Sequence, residues 1–391
     1  MTFFIVGSII VILNKININS NERRQMSIQV TEGRTVNINE AKRIVLKAFR
    51  KQRPIMLWGA PGIGKSDLVD QIATELNRDL IDIRLPLWEP TDIKGMPYYN
   101  AKSGNMEWSV PAEFPTDPKS TAIIFLDELN GAAPSVQAAA YQLILNRRVG
   151  QYVLPKNVLI IAAGNRETDK GVTYRMPKPL ANRFVHLELR VDFEVWRDWA
   201  IENQIHPDVV GYLSFQKKDL YDFNPQADSR SFATPRSWSF VSELMYDDQE
   251  DVLEQHLETD MVSGCVGEGV AIKFQTHRNM RSNLPNPSDI LSGKVTEVEN
   301  DIESSGQYAL TTCMCYELKE AFEPMKTKGK HKEWHEMAEN FLGFMMANFS
   351  TEMVIFGART ALKSYKLPFD HTKMKNFGDF FDKYGKLIID A

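Results

Sequence analysis

Cysteine is scarce in this 391-residue chain: Cys265, Cys313 and Cys315 are the whole complement. An odd count with no even spacing excludes a disulfide framework and favours a reducing compartment, so a cytoplasmic location is expected. Long apolar runs are equally scarce. The most hydrophobic stretch, Phe3 to Leu13 (FFIVGSIIVIL), is far shorter than the roughly 20 apolar residues a membrane span needs, and no membrane partner is expected. No positive region precedes it and no small-residue cleavage pattern follows it, as an export signal would require. The preferred reading is a native start at Met26, with Glu22-Arg23-Arg24 encoded by purine-rich codons that resemble a bacterial ribosome-binding site. A membrane or export segment and an ordinary buried strand remain the alternatives. An excess of positive charge is also missing. Lys+Arg total 46 against Asp+Glu 51, a net charge of −5, which argues against a surface built to neutralise nucleic-acid phosphates.

What is present is an ordinary globular composition, 43% hydrophobic and 25% charged, in a chain long enough for two or three domains. Apolar Ile38, Ala41, Ile44, Val45, Ala48 and Phe49 recur at helical spacing. Short apolar runs of buried-strand type follow at Pro54 to Trp58, Leu80 to Leu85, Thr121 to Leu126, Val158 to Ala163 and Phe184 to Leu189, with helical or loop material between them. That alternation predicts an α/β fold with a mainly parallel sheet. Two hairpins are expected as inserts, one over 96–110 around Ser103-Gly104-Asn105 and one over 147–154 around Gly150. Beyond Arg190 the pattern is helical, and Asn283 to Ser288 is rich in breakers. The expected division is an N-terminal extension over 1–36, an α/β core over 37–190, a helical lid over 191–282 and a C-terminal helical region over 283–391.

The chemistry is carried by a few short motifs. Gly59-Ala60-Pro61-Gly62-Ile63-Gly64-Lys65-Ser66 follows a strand and opens a helix continuing through Asp67, the context in which G-x-x-x-x-G-K-[S/T] cradles phosphates. Lys65 is placed to bridge the β- and γ-phosphates of ATP and Ser66 to ligate Mg²⁺. Ile123 to Glu128 is an apolar strand ending in two carboxylates. Asp127 at its tip suits Mg²⁺, and Glu128 suits polarisation of the attacking water.

These motifs and their order resemble the MoxR branch of the AAA+ ATPases. Asp127-Glu128-Leu129-Asn130 matches its second Walker motif and Ala162-Ala163-Gly164-Asn165 its first sensor strand. The resemblance implies that Asn165 orients the hydrolytic water. Leu180-Ala181-Asn182-Arg183-Phe184 resembles the segment giving an arginine finger to the neighbouring subunit, so Arg183 inherits that role. Ala233-Thr234-Pro235-Arg236-Ser237-Trp238 resembles the start of the sensor-2 helix, and the residues agree: Thr234 suits an N-cap and Pro235 the first helical position, which projects Arg236 from the first turn. The two hairpins match the helix-2 and pre-sensor-1 inserts of that clade. Two positions depart from its pattern: Gly131 stands where Arg is frequent, and Arg166 where Pro is frequent. The resemblance implies an ATP-driven, chaperone-like remodeller working as a ring, a hexamer by analogy, with a partner bearing a von Willebrand factor A-type domain. A DNA-linked motor and a scaffold with negligible hydrolysis are the alternatives; the acidic charge opposes the first, and intact Lys65, Asp127, Glu128 and Asn165 oppose the second.

Other features take bland readings. Cys313 and Cys315 with His331 and His335 mimic a zinc pattern, but one residue between the cysteines is below the usual two to four. The basic run Lys326 to Lys332 reads as a solvated loop.

Overall fold

A computed structural model describes residues 34–169, 173–227, 229–246, 253–281, 284–298, 302–327, 330–370 and 374–389. The apolar run at Phe3–Leu13 and Met26 lie outside the described residues.

Burial on both faces shapes the central sheet. Strands β1 (Thr35–Val36), β2 (Ile55–Trp58) and β3 (Leu80–Arg84) open the chain's α/β region, with α1 (Ile38–Phe49) and α2 (Lys65–Glu75) between them. Helix α1 begins where its residues dictate: the Asn37 side chain accepts from the Glu40 amide at 2.9 Å while the Glu40 carboxylate accepts from the Asn37 amide at 2.8 Å, a reciprocal cap. Ala41, Val45 and Phe49 form its buried stripe.

After the one-turn α3 (Pro90–Lys94) comes the first hairpin, β4 (Pro97–Asn100) and β5 (Asn105–Trp108). Then follow β6 (Ile123–Asp127), α4 (Pro134–Asn146), the second hairpin β7 (Arg148–Val149) and β8 (Tyr152–Val153), β9 (Leu159–Gly164), α5 (Lys178–Ala181) and β10 (Val185–Leu189). Six strands form one sheet in the order β1-β10-β2-β9-β6-β3, every neighbouring pair parallel. Alternate residues enter different cores. Ile55, Leu57, Phe125 and Ile161 pack under α1 and α2, while Met56, Ile124, Leu126 and Ile160 pack under α4. Fully buried parallel strands need such continuous apolar runs, which is why the sequence announced them. The α/β fold with a parallel sheet is thus as the sequence predicts, and the ends of the five expected strands differ by only one or two residues; the edge strand β1 falls in the segment expected to be an extension before the core.

The sheet order sets the functional geometry. β9 lies between β2 and β6, with Trp58 opposite Gly164 and Leu126 opposite Ala162. The carboxyl ends of three adjacent strands therefore converge, the usual location of ligands in open α/β sheets.

Helices fill the remainder: α6 (Phe193–Glu202), α7 (Pro207–Phe215), α8 (Pro235–Met245), α9 (Gln255–Val266), α10 (Glu268–Arg281), α11 (Pro287–Leu291), α12 (Ser304–Thr327), α13 (His331–Asn348), α14 (Thr351–Arg359) and α15 (Lys375–Ile389). Trp196, Tyr212, Trp238 and Phe274 make one aromatic core, with the Trp238 indole donating to the Asp219 carbonyl at 2.8 Å. Trp334, Phe341, Met345 and Phe380 belong to a second. Helices α7 and α12 approach closely at Gly211, where a Cβ would meet the Ala309 Cα at 3.4 Å. Cys313 and Cys315 are buried on α12, and the Cys315 thiol donates to the Gly357 carbonyl. Burial pushes that thiol far above its ordinary range. Among the described residues no helix is long and apolar enough to cross a membrane, and no group of three or more His, Cys, Asp or Glu could hold a metal.

The first hairpin is fixed at its root. Gly95 has φ +84° and ψ 177°, and a Cβ there would lie 1.6 Å from the Ser109 carbonyl oxygen. Gly95→Ala should therefore lower stability by about 2 kcal/mol or more, combining backbone strain with overpacking. A denaturant midpoint unchanged from the parent would contradict this packing.

Candidate functional site

The Gly59–Ser66 loop bends sharply between β2 and α2. Gly62 and Gly64 have φ of +73° and +91°, conformations that side chains rarely adopt. At Gly62 the constraint is double, because a Cβ would sit 2.7 Å from the Thr234 hydroxyl at the start of α8. Gly64 occupies the N-cap of α2, which no described side chain caps. The amides of that first turn point outward with the positive end of the helix dipole, a ready site for phosphate oxygens.

Lys65 opens the helix and folds back over the loop. Its Nζ donates to the carbonyls of Gly59 at 2.8 Å and Ala60 at 2.9 Å, and to Asn165 Oδ1 at 3.0 Å. Burial pushes its pKa down to about 8, and Arg236 acts in the same direction; Asp127, Asp169 and Glu128 oppose them and are outweighed. Arg236 therefore stands close enough to feel Lys65, whereas Arg183 is not among the charges that act on it.

Asp127 ends β6 and is buried. One carboxylate oxygen accepts from the Glu128 amide at 2.9 Å; the other lies 3.4 Å from the Ser66 hydroxyl, which donates to it. Ser66 and Asp127 thus present two hard oxygens side by side, a donor set that fits Mg²⁺, which binds few protein groups and keeps waters and phosphates as its other ligands. Glu128 is exposed and has φ +53°. Such a non-glycine conformation costs about 1–3 kcal/mol, and it falls just past the carboxyl end of the interior strand β6. The Gly131 amide, bonding back to the Glu128 carbonyl at 2.8 Å, closes the turn that holds it.

Asn130 is the residue whose role the sequence did not disclose. It is 2% exposed, its Nδ2 donates to the Asn165 carbonyl at 2.8 Å, and its Oδ1 accepts from the Asn165 amide at 3.2 Å. This clamp fixes the backbone of the residue that reaches Lys65. It also explains Gly164, where a Cβ would meet Asn130 Oδ1 at 2.4 Å and the Met56 methyl at 2.7 Å. Asn130 was legible as part of a motif, but its partner lies 35 residues away.

Arg236 projects from the first turn of α8. Thr234 and Ser237 cap that helix reciprocally, and the Arg236 amide bonds to the Gly62 carbonyl at 3.3 Å, so the helix start rests on the phosphate loop. Arg183 lies elsewhere, on the exposed turn after α5, with no side-chain hydrogen bond or ion pair among the described residues. Asp67 is exposed on the first turn of α2, and Pro61 and Ile63 shape the loop, Ile63 being buried against it. A cavity of about 420 Å³ opens beside the loop, walled by Ala60, Ile63, Thr35, Val191, Phe193, Leu220 and Tyr221. Sequence reasoning named Ala60 and Ile63 but missed Thr35, Val191, Phe193, Leu220 and Tyr221, which come from three other segments. Arg166 also lines it, tied to Asp169 at 3.3 Å and Glu188 at 3.5 Å.

Residues 54–186 match the family model described as the ATPase family associated with various cellular activities (AAA). Over those residues the chain is similar to the ATPase domain of that family. Midasin of Giardia intestinalis is 31% identical over 176 residues, covering 43% of this chain and 4% of midasin. The large subunit of replication factor C from Aeropyrum pernix is 27% identical over 120 residues, covering 28% of this chain and 23% of that protein. The chain thus spans a small part of the curated relatives it matches. Among solved structures, NtrX of Brucella abortus in complex with ATP aligns over 92% of this chain and 75% of its own, at 12% identity and a TM-score of 0.36.

The depressed pKa of Lys65 makes a signed prediction for this site. Phosphates favour the charged ammonium, so nucleotide binding returns the lysine toward its ordinary value. Below pH 8 it is already charged and binding needs no proton there. Between pH 8 and about 10.5, binding must take one up, and affinity falls as pH rises. Calorimetry in buffers of different ionisation enthalpy should show uptake approaching one proton per ATP by about pH 9, and Lys65→Ala should bind no ATP. The same proton linkage at pH 7 and pH 9 would contradict the site.

Proposed function

We propose that this chain is a MoxR-type AAA+ motor that binds ATP with Mg²⁺, hydrolyses it, and uses the cycle to remodel a partner protein. The observation that carries the reading is the convergence of Lys65, Ser66, Asp127, Glu128 and Asn165 at the ends of three adjacent strands, with Arg236 close by. The phosphates lie along Gly59 to Ser66, and the first-turn amides of α2 hold them. Lys65 exchanges its carbonyl partners for β- and γ-phosphate oxygens. Ser66 and Asp127 would hold Mg²⁺, which would supply positive charge to offset that of the phosphates. Glu128 takes the proton of the attacking water, and Asn165, fixed by Asn130, orients that water. Arg236 senses the γ-phosphate from the lid. The cavity beside the loop takes the base and ribose, with apolar Ile63, Val191 and Phe193 against the ring and cationic Arg166, Arg190, Lys217 and Lys218 also in its wall, and its volume falls in the usual range for small ligands, about 300–1,000 Å³.

Arg183, exposed and without a partner among the described residues, serves the active site of an adjacent subunit, so the working unit is a ring, hexameric by analogy. Motif order supports the MoxR assignment and, with it, a client or cofactor protein bearing a von Willebrand factor A-type domain. The match to replication factor C supports a second reading, a DNA-linked motor, which a stimulation of turnover by DNA would favour.

A finger stabilises charge that develops in the transition state, so Arg183→Ala should spare ATP binding and cut turnover at least a hundredfold; fingers supplied in trans are worth about 10³ to 10⁵ in well-studied GTPases. Mixing Arg183→Ala with Glu128→Gln protein should restore activity, because some interfaces then pair an intact Glu128 with an intact Arg183. A mixture that assembles yet stays inactive would remove Arg183 from the neighbour's site, and exposed Arg175 would be the next candidate.

A further inference from the structure

Trp58 ends β2 and abuts Gly59, the first residue of the phosphate loop. Its indole Nε1–H donates to Nδ1 of His186 at 2.8 Å, and His186 Nε2 lies 2.7 Å from the Ala181 carbonyl oxygen. An indole N–H only donates and a carbonyl only accepts. The imidazole between them must therefore carry its proton on Nε2 and its lone pair on Nδ1. The Trp58 and His186 rings are stacked at 6.0 Å and 11°, and Phe184 meets His186 edge-on at 6.1 Å.

Ala181 is the last residue of α5, two before Arg183. A four-residue helix cannot hold its own shape, because nucleation costs more than one turn returns. Buried Leu180 holds it on one side of Arg183 and buried Phe184 on the other, both in the core under α4. The hydrogen bond from His186 to Ala181 adds a polar tie between those two anchors. The Arg183 amide bonds to the Leu180 carbonyl of the same turn at 3.0 Å, so the direction of the exposed guanidinium follows from how that turn is held. Backbone pairing of β2 with β10 does not need the tether, because it runs through the register from Val185 to Glu188 independently of these side chains.

We propose that Trp58 and His186 are positioning residues for Arg183: they pin the turn that carries it to the strand that ends in the phosphate loop. The proposal rests on the reading of Arg183 as a residue that serves the neighbouring subunit. It also makes one subunit's phosphate loop the reference point for the arginine that the same subunit presents to the next site. A shift at Gly59 then moves Trp58, His186 and the arginine turn together.

Full-length variants test this by separating affinity from turnover. His186→Phe keeps a ring and loses both hydrogen bonds. His186→Gln carries an amide with one acceptor and one donor group, and Trp58→Phe removes the indole donor together with part of the ring that packs on the core. His186→Phe should keep the ATP Kd and the melting temperature of the parent while kcat falls roughly ten- to a hundredfold, the scale on which a displacement of about 1 Å in a positioned group is felt. His186→Gln should recover most of kcat, and Trp58→Phe should fall between; these two variants carry the test if His186→Phe does not fold. Mixing His186→Phe with Glu128→Gln should restore activity, since the intact site of the first is then served by the intact turn of the second. An unchanged kcat in all three variants would overturn the proposal. So would failure of the His186→Phe mixture where the Arg183→Ala mixture succeeds, which would assign His186 to its own phosphate loop. If the Arg183→Ala mixture fails as well, the reading of Arg183 falls and the proposal falls with it.

Discussion

A half-buried lysine ammonium at the end of a parallel sheet is costly, and the residues around it are arranged to offset that cost. Lys65 has three donors, and each finds an acceptor on Gly59, Ala60 or Asn165. Three carboxylates add attraction, yet desolvation still wins and leaves the group near pKa 8. A cation in that condition gains strongly from an anionic ligand, since the phosphates supply the opposite charge that the protein gives only in part. The small residues nearby follow from the same requirement. Gly164 lets Asn130 approach to clamp Asn165, and Asn165 in turn reaches Lys65.

Coupling between the loop and the helices after it also starts here. A Cβ at Gly62 would strike Thr234, and the Gly62 carbonyl receives the Arg236 amide. The reciprocal cap of Thr234 and Ser237 holds that helix start rigid. Movement of α8 is therefore felt at the phosphate loop without any intermediate side chain. On the opposite side, Trp58 carries the loop's position to the arginine turn through His186. The Gly59–Ser66 loop is thus tied on two sides, to the start of α8 through Gly62 and to the turn before Arg183 through Trp58 and His186.

Much of this was legible in the residues. Parallel strands buried on both faces leave continuous apolar runs, so Ile55 to Trp58 and Ile123 to Asp127 could be read directly. The phosphate loop has a fixed spacing because its residues are consecutive, and the cap at Thr234 is local to four residues. The obscure parts join positions far apart in the chain. Asn130 meets Asn165, Trp58 meets His186 across 128 residues, and the cavity draws on Thr35, Ile63, Phe193 and Tyr221. No periodicity records such pairings; they follow from the insertion of β9 between β2 and β6 and of β10 beside β2. The left-handed backbone of Glu128 was likewise invisible, because nothing in a carboxylate's identity announces φ +53°.

The central claim is that ATP bound at Lys65 is hydrolysed by water that Glu128 activates. Its most direct test is phosphate release by wild-type and Glu128→Gln protein at saturating ATP, with ATP affinity measured alongside. The account predicts unchanged affinity and a turnover lower by about 10² to 10⁴, the range for loss of a general base. Equal turnover in the two proteins at equal affinity would contradict it.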